Sequence, residues 1–493
     1  MARYGTEESS WESNAVLSGD TVGLTEVRKL SEVAVSAMES GENERGGPAP
    51  SGGPALVAQR FDERLAPYLP EVGVGGEAAL SQMVSAVSSG SVNPADPSCI
   101  AHLHAPPLAM AAVADLAASV LNPSLDSWDQ APSTSHLEQR IGRLIADLAF
   151  GHEHGDTLMT TGGTESNLVA LLLAREHFER IRPGSMRLVC ADNAHHSVAR
   201  AAWILGLSEP VILPTDGRTL QPEALDRALD RIDGPAVVVA TAGTTDTGDI
   251  DPLREAARTA RKHSAWFHVD AAYGGFLLFS ERYRDCLEGL HEADSVTMDL
   301  HKFGWQPLAA GLLCVSDRRR LRLLDVRADY LNADDDTEAG FPDLLHRSIR
   351  TSRRPDVLKV AVTFRALGRS GLGAMVDRCC DNTLEIAEHI RAKMDLPFEP
   401  NISTVLFRPS AVRSLSPATA DHVVSETRRI LLERGRAVIG RATLPAKQSA
   451  GTATRTYLKF TVLNPWTDTT RLVPLLDEIE DVASSVSERV RKE

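Results

Sequence analysis

Between about residues 135 and 330, short runs dense in branched apolar side chains alternate with longer stretches whose apolar positions recur every three or four residues. The runs at 187–191, 211–213, 236–240, 266–269, 295–298 and 311–315 are too short for helices and are apolar on successive positions. They predict strands buried on both faces. The helical stretches between them supply crossovers, so the alternation predicts a mostly parallel sheet covered on both sides by helices. In an open sheet of that kind, ligands sit beyond the carboxyl ends of the strands. Thr245, Asp270 and Lys302 each fall just after such a run, which marks that edge as the place to look for chemistry.

The flanking regions follow other patterns. Residues 1–54 end in a Gly/Pro-rich run from Gly46 to Pro54 and predict a flexible segment, with one amphipathic helix over 24–39. From 55 to 110 the spacing of Phe61, Leu65, Tyr68 and Leu69 predicts helices of the kind that pack against a second subunit. A large domain is expected over 111–375 and a small C-terminal α+β domain over 376–493. In the latter, Ser416-Pro417 starts a helix with a capping hydroxyl and a first-turn proline, and Val423, Val424, Ile430 and Leu431 give it an apolar face. Strands are expected at 437–439 and 457–463, and a last helix at 468–490.

Composition narrows the partners. The chain has 493 residues, 43% hydrophobic and 24% charged, with a formal charge of −15. An acidic surface of this kind excludes a nucleic-acid backbone as partner and disfavours anionic membranes. The six cysteines, at 99, 190, 286, 314, 379 and 380, form no CxxC pair and no zinc-like spacing, which suits a reducing compartment and predicts no metal site. There is no basic start followed by an apolar stretch, and no run of 18 apolar residues. The expected location is the cytoplasm, with no membrane association.

The candidate chemistry lies in four short motifs. Lys302 closes Asp299-Leu300-His301-Lys302, and Asp270 ends the apolar run of His268-Val269-Asp270-Ala271-Ala272. A free lysine amine, with an ordinary pKa of about 10.4, is a poor nucleophile at neutral pH; condensed with an aldehyde it becomes an activated imine that exchanges with a substrate amine. A buried carboxylate needs a cationic or hydrogen-bonding partner. A pyridinium N–H is one such partner, and a helix-capping role is the alternative reading. Together the two residues point to pyridoxal 5'-phosphate, whose protonated ring accepts electrons. Gly162, Gly163 and Thr164 open an apolar helical run and offer N–H groups for a phosphate. Ser295, seven residues ahead of Lys302, is a second phosphate candidate; Thr245 is placed to touch ring substituents, and His301 to orient the lysine. His195, in preference to its neighbour His196, is a candidate to stack on the ring and move a proton. Small residues at Ala271 and Ala272 leave room for a flat ring.

These stretches carry a resemblance. TTGGTESNL at 160–168, DNAHHSVARA at 192–201, TAGTTDTGDIDP at 241–252, HVDAAYGG at 268–275 and ADSVTMDLHK at 293–302 resemble the pyridoxal phosphate-dependent amino-acid decarboxylases of the aromatic-amino-acid and glutamate type. AHLHAP at 101–106, NPSLDSWDQ at 122–130, TSRRPDVLK at 351–359 and YLKFTVLNP at 457–465 are similar to the siderophore-type lysine and 2,4-diaminobutyrate decarboxylases. The resemblance implies the aspartate aminotransferase-type fold, a seven-stranded sheet, and a homodimer with its site at the subunit interface. By matched position it implies Lys302 as the cofactor-linked lysine, Asp270 as the ring-nitrogen partner and His195 as the stacking histidine. Ala272 would lie against the ring, with Thr164 and Ser295 on the phosphate. It also implies a loop tyrosine, Tyr330, as the proton donor to the substrate after CO₂ loss, followed by a lid over 332–340. Relatives with phenylalanine there tend toward oxidative deamination, so Tyr330 implies simple decarboxylation. His102, His104 and Asp126 would lie on the substrate side, Asp126 reaching the neighbouring subunit's site, where a carboxylate suits a distal ammonium such as that of lysine, ornithine or 2,4-diaminobutyrate. Ala105-Pro106-Pro107 and Phe303-Gly304-Trp305 depart from the diamino-acid pattern.

Rival readings are a decarboxylase of aromatic or other amino acids, an aldehyde-forming decarboxylase, a cysteine desulfurase-like lyase on the same fold, and a degenerate scaffold. The lyase needs a reactive cysteine on a mobile loop, and none falls within 330–345.

Overall fold

A computed structural model describes residues 15–181, 185–215, 218–325, 335, 338–341, 344–445 and 454–492. Its centre is a seven-stranded sheet built from β1 (Asp156–Thr160), β2 (Arg187–Ala191), β3 (Val211–Leu213), β4 (Ala236–Thr241), β5 (Trp266–Asp270), β6 (Ser295–Asp299) and β7 (Gly311–Val315). The order is β1-β7-β6-β5-β4-β2-β3, with β7 antiparallel to both its neighbours and the remaining pairs parallel. The six strands expected from the sequence are present. The unexpected one, β1, carries Asp156, Thr157 and Thr160, polar residues that hide it from an apolar count. Its polar groups are satisfied by Arg347 on Asp156 at 2.6 Å and by Ser166 on Thr160 at 2.7 Å.

Strand periodicity divides the core between two faces of the sheet. Along β4, Val238 and Ala240 join the cluster that holds Phe267, Val269 and Phe276, whereas Val237 and Val239 join Leu171, Leu188 and Trp266 on the other side. Both faces are therefore dry, as a parallel sheet requires.

The N-terminal region departs from expectation in two places. The helix expected at 24–39 is longer, Thr21–Arg45, capped by Asp20, whose carboxylate accepts from Gly23 N at 2.8 Å. The Gly/Pro-rich run after it is packed rather than flexible: Ala49 is 1% exposed, and Gly52 N donates to Glu433 O at 2.7 Å. The helical stretch expected over 55–110 is broken into Gly53–Leu65 and Gly76–Gly90, leaving Tyr68 and Leu69 outside, the latter 91% exposed. Apolar spacing alone could not show that the helix ends at Leu65.

The long helix Val357–Lys393, broken at Gly368 where φ is 62°, runs from the large domain into the small one. Val376, Cys379 and Cys380 pack with the sheet, and Ile386 and Ile390 pack with the small domain. The expected boundary at 375/376 thus falls inside a helix. The small domain is an antiparallel sheet, β8 (Thr404–Phe407), β9 (Gly440–Pro445) and β10 (Thr454–Thr461) in the order β8-β10-β9, backed by helices Pro417–Glu433 and Val473–Lys492. Ser416 Oγ accepts from Thr419 N at 3.3 Å, the expected cap. The strand expected at 437–439 instead begins at Gly440, and Val438 forms an isolated parallel bridge with Cys99.

Candidate active site

A cleft of about 300 Å³ opens at the carboxyl edge of β4, β5 and β6. Register brings its parts level: Thr241 pairs with Asp270, Asp270 with Thr297, and both Thr160 and Asp299 with Gly311. Gly311 has to be glycine, since a Cβ there would lie 2.4 Å from Gly162 Cα. The absent side chain lets the turn after β1 close over the sheet edge. Gly162, Gly163, Thr164, His195, Thr245, Asp270, Ala272, His301 and Lys302 all line the cleft.

At one end the helix Gly163–Ile181 begins. The first turn of a helix leaves N–H groups without intrahelical acceptors, facing whatever lies ahead of it. The turn is held by Glu165, which accepts from Thr161 N at 2.6 Å and Thr161 Oγ1 at 2.7 Å. Gly162 adopts φ 148°, and a Cβ on Gly163 would lie 3.1 Å from Ala272 Cβ. The missing side chain of Gly163 therefore lets the start of the helix close against Ala272 and the Asp299 carboxylate.

Lys302 Nζ lies 2.9 Å from Asp299 Oδ2, and both side chains are largely buried. Asp299 Oδ1 has no hydrogen-bond partner among the described residues. His301 Nδ1 donates to Ala310 O at 2.7 Å, which fixes its ring beneath Gly162. The contact holds the Lys302 side chain at the rim of the glycine turn, inside the cleft.

Opposite this pair, Asp270 accepts from Ala272 N at 3.1 Å and from Asn167 Nδ2 at 2.8 Å. Asn167 Nδ2 also donates to Ser197 Oγ at 2.9 Å, and Ser197 Oγ contacts His195 Nδ1 at 2.8 Å. His195 caps the helix His196–Ile204 and lines the cleft, whereas His196 is exposed and does not. Burial is the main influence lowering the His195 pKa, with Asp270 pulling the other way. On the far side of Asn167, Oδ1 accepts from Thr297 Oγ1 at 2.8 Å and contacts His268 Nε2 at 3.0 Å.

Four sequence candidates do not line this cleft. Ser295 is a correction: it starts β6, at the opposite end of the strand from the cleft, accepts from Trp266 Nε1 at 3.0 Å and contacts His268 Nδ1 at 2.9 Å. At about 3.3 Å per residue the strand itself separates it from any phosphate at the glycine turn. His102, at φ 63°, and His104 flank Leu103, which takes the lining position. His104 stays near enough to His301 for that charge, after desolvation, to lower its pKa. Asp126 is half-buried in the loop after helix Ala109–Leu121, away from this chain's cleft, with Oδ1 lacking a partner among the described residues. Tyr330 lies outside the described residues.

The cleft also contains residues that the sequence reading passed over: Asn167, Tyr273 and Asp299. Asn167 sits one helical turn after Gly163, a polar residue facing inward from an apolar helix, and that spacing was its only signal. Tyr273 Oη contacts Ser403 Oγ at 2.8 Å and Thr404 Oγ1 at 2.9 Å, and Lys459 of β10 donates to Thr245 O at 2.8 Å. The small domain thereby holds one wall of the cleft. Among the described residues no cluster of His, Cys, Asp or Glu is suited to a metal ion, and no helix is long and apolar enough to cross a membrane.

A cleft that brings together a helix N-terminus, a buried carboxylate and a lysine fits a pyridine ring bearing a phosphate and an aldehyde. Comparison with known proteins agrees. Residues 77–410 match the pyridoxal-dependent decarboxylase conserved domain. The L-2,4-diaminobutyrate decarboxylase of Rhizobium meliloti (strain 1021) is 39% identical over 84% of this chain and 83% of its own length. That of Acinetobacter baumannii is 32% identical over 85% and 86%. Among solved structures, the glutamate decarboxylase domain of diaminobutyrate-pyruvate transaminase and L-2,4-diaminobutyrate decarboxylase from Vibrio parahaemolyticus superposes with a TM-score of 0.82 at 29% identity, covering 96% of this chain and 99% of that one. The chain belongs to the pyridoxal-dependent decarboxylase family, with its fold, and is a pyridoxal phosphate-dependent amino-acid decarboxylase.

Proposed function

We propose that the enzyme converts an L-diamino acid, 2,4-diaminobutyrate or a longer homologue such as ornithine or lysine, to the diamine and CO₂. The observation that carries this reading is the 39% identity to a diaminobutyrate decarboxylase over most of both chains. Pyridoxal phosphate, when bound, supplies an aldehyde that condenses with amines and a ring that draws electrons from the bond to the departing carboxylate. Lys302 is the amine that holds the cofactor and yields to substrate. Asp270 keeps the ring nitrogen protonated, and its burial strengthens that interaction. Gly163 and Thr164 take the phosphate, Ala272 and His195 bound the ring, and Thr245 and His301 border its substituents. Tyr330 returns a proton to the α-carbon, a step that decides between amine and aldehyde.

Recognition of the distal ammonium falls to Asp126, acting across a homodimer interface. Two observations support this: its Oδ1 has no partner among the described residues, and apolar side chains on the neighbouring helices, Val113 and Leu121 among them, are exposed in the single chain. His102 and His104, on either side of the cleft-lining Leu103, are the substrate-side residues contributed by this chain. An acidic chain of charge −15 also attracts a cationic substrate, and a cytoplasmic location suits it. The desulfurase-like alternative lacks support, since no cysteine lines the cleft and burial pushes the Cys190, Cys314 and Cys380 thiols up to about 12.

The test is CO₂ release from a panel of diaminobutyrate, ornithine, lysine, aromatic and branched amino acids, with the parent enzyme and Asp126→Ala. Diamino acids are expected to dominate, and Asp126→Ala to raise KM for them selectively. Turnover of aromatic substrates alone would overturn the proposal.

A further inference from the structure

The hydrogen bonds around Asn167 leave little freedom in where each proton sits. At one end of the cluster, Trp266 has only an indole N–H to offer, and gives it to Ser295 Oγ. At the other end, Asp270 accepts at both carboxylate oxygens, from Ala272 N and Asn167 Nδ2. With its nitrogen committed to Asp270, Asn167 turns Oδ1 toward Thr297 Oγ1 and His268 Nε2. An amide oxygen only accepts, so His268 carries its proton on Nε2 and receives the Ser295 hydroxyl hydrogen on Nδ1. That assignment needs a neutral imidazole, and burial pushes the His268 pKa down to about 4.

The same logic runs the other way through Ser197. Its hydroxyl oxygen accepts the second hydrogen of Asn167 Nδ2 at 2.9 Å, which frees its own hydrogen for His195 Nδ1 at 2.8 Å. Ser197 N also points at that nitrogen, but at 3.4 Å the contact is too long to fix the tautomer without the hydroxyl. His195 Nδ1 is then an acceptor, and the ring proton belongs on Nε2.

We infer that Asn167 is a positioning residue for both halves of the site: one carboxamide orients the Asp270 carboxylate and, through Ser197, fixes His195 as the Nε2–H tautomer. The inference rests on the roles of Asp270 and His195 proposed above. Its chemical content is that His195, in its neutral form, offers a hydrogen-bond donor to whatever occupies the cleft, and does not act there as a base. Ser197 sets the tautomer, and Asn167 sets Ser197.

The experiment is ¹⁵N NMR of histidine-labelled enzyme, with and without pyridoxal phosphate, comparing the parent with Ser197→Ala, Ser197→Thr and Asn167→Ala; His195→Gln identifies the signal. The parent is expected to show His195 as the Nε2–H form, Ser197→Ala a mixture of tautomers, and Ser197→Thr, which keeps a hydroxyl, the parental form. Cofactor affinity is measured in parallel. It should stay within about threefold in Ser197→Ala but weaken about ten- to hundredfold in Asn167→Ala, where a hydrogen bond to a charged group is lost. An Nδ1–H signal in the parent, or an unchanged tautomer in Ser197→Ala, overturns the inference. Failure of the parent to take up pyridoxal phosphate would instead overturn the assignment of the site, because the tautomer is also read without cofactor. Should Asn167→Ala fail to fold, Ser197→Ala and Ser197→Thr still decide the matter.

Discussion

Comparing His268→Gln with the parent enzyme at pH 8 and pH 5 isolates one buried group. Desolvation lowers the His268 pKa from 6.5 to about 4, against a smaller upward pull from Asp270. The unfolded chain takes up the proton below pH 6.5, the folded chain only near pH 4. Between those values the unfolded state holds more protons, so stability falls as the pH drops. The loss is about 2 kcal/mol at pH 5 and close to zero at pH 8. Asp251 has the opposite sign: burial raises its carboxyl from 3.8 to about 6, so across that window the folded state holds more protons and stability rises as the pH drops. In the parent the two contributions partly offset each other, so the difference between the two proteins carries the signal. Glutamine cannot take the proton, but its amide can still donate toward Asn167. Moving from pH 8 to pH 5, His268→Gln should therefore gain about 2 kcal/mol relative to the parent. Urea unfolding of the cofactor-free enzymes, followed by tryptophan fluorescence at fixed protein concentration, reads this difference. Parallel pH dependences in the two proteins would refute the claim that burial holds His268 neutral.

Other expectations concern the frame, the lysine and the lid. Arg353 lies 2.9 Å from Glu138, which Arg347 also approaches at 3.5 Å, all three being buried. Arg353→Met should cost about 3 kcal/mol in urea unfolding, because Arg347 is already paired with Asp156 and the buried cluster is left with one uncompensated carboxylate; an unchanged midpoint would contradict this. Lys302→Ala should lose the visible absorbance of bound cofactor together with turnover; a mutant that kept both would displace Lys302 from its role. Tyr330→Phe should divert product from amine toward aldehyde and ammonia, with one O₂ and one water consumed and one hydrogen peroxide formed per turnover, and an undiminished amine yield would count against Tyr330 as proton donor.

Much of the central sheet was legible because buried parallel strands are apolar on both faces, and that needs no alternation to detect. β1 escaped because its polar side chains are paid for by partners distant in sequence, Arg347 above all. The carboxyl-edge rule located Asp270, Lys302 and the glycine turn, since each follows a strand directly. Ser295 was misplaced because its proximity to Lys302 was counted along the chain, whereas a strand carries its first residue to the far rim of the sheet. Asn167 shows the converse failure. Its importance depends on four partners from three other elements, none of which a local motif contains. His102 and His104 turned on which residue of a strained loop faces inward, and the positive φ at His102 is invisible in a residue list.

The grip of Lys459 on the Thr245 carbonyl and on Asp246 at 3.1 Å, together with Asn401 on Asp249, has a bearing on how the enzyme can be dissected. A fragment ending near residue 375 would keep every strand of the seven-stranded sheet, yet the segment after β4 would be released from its only clamps on that side among the described residues. Such a truncation would make a poor scaffold for catalysis, and the two domains have to be inherited, expressed and engineered as one unit.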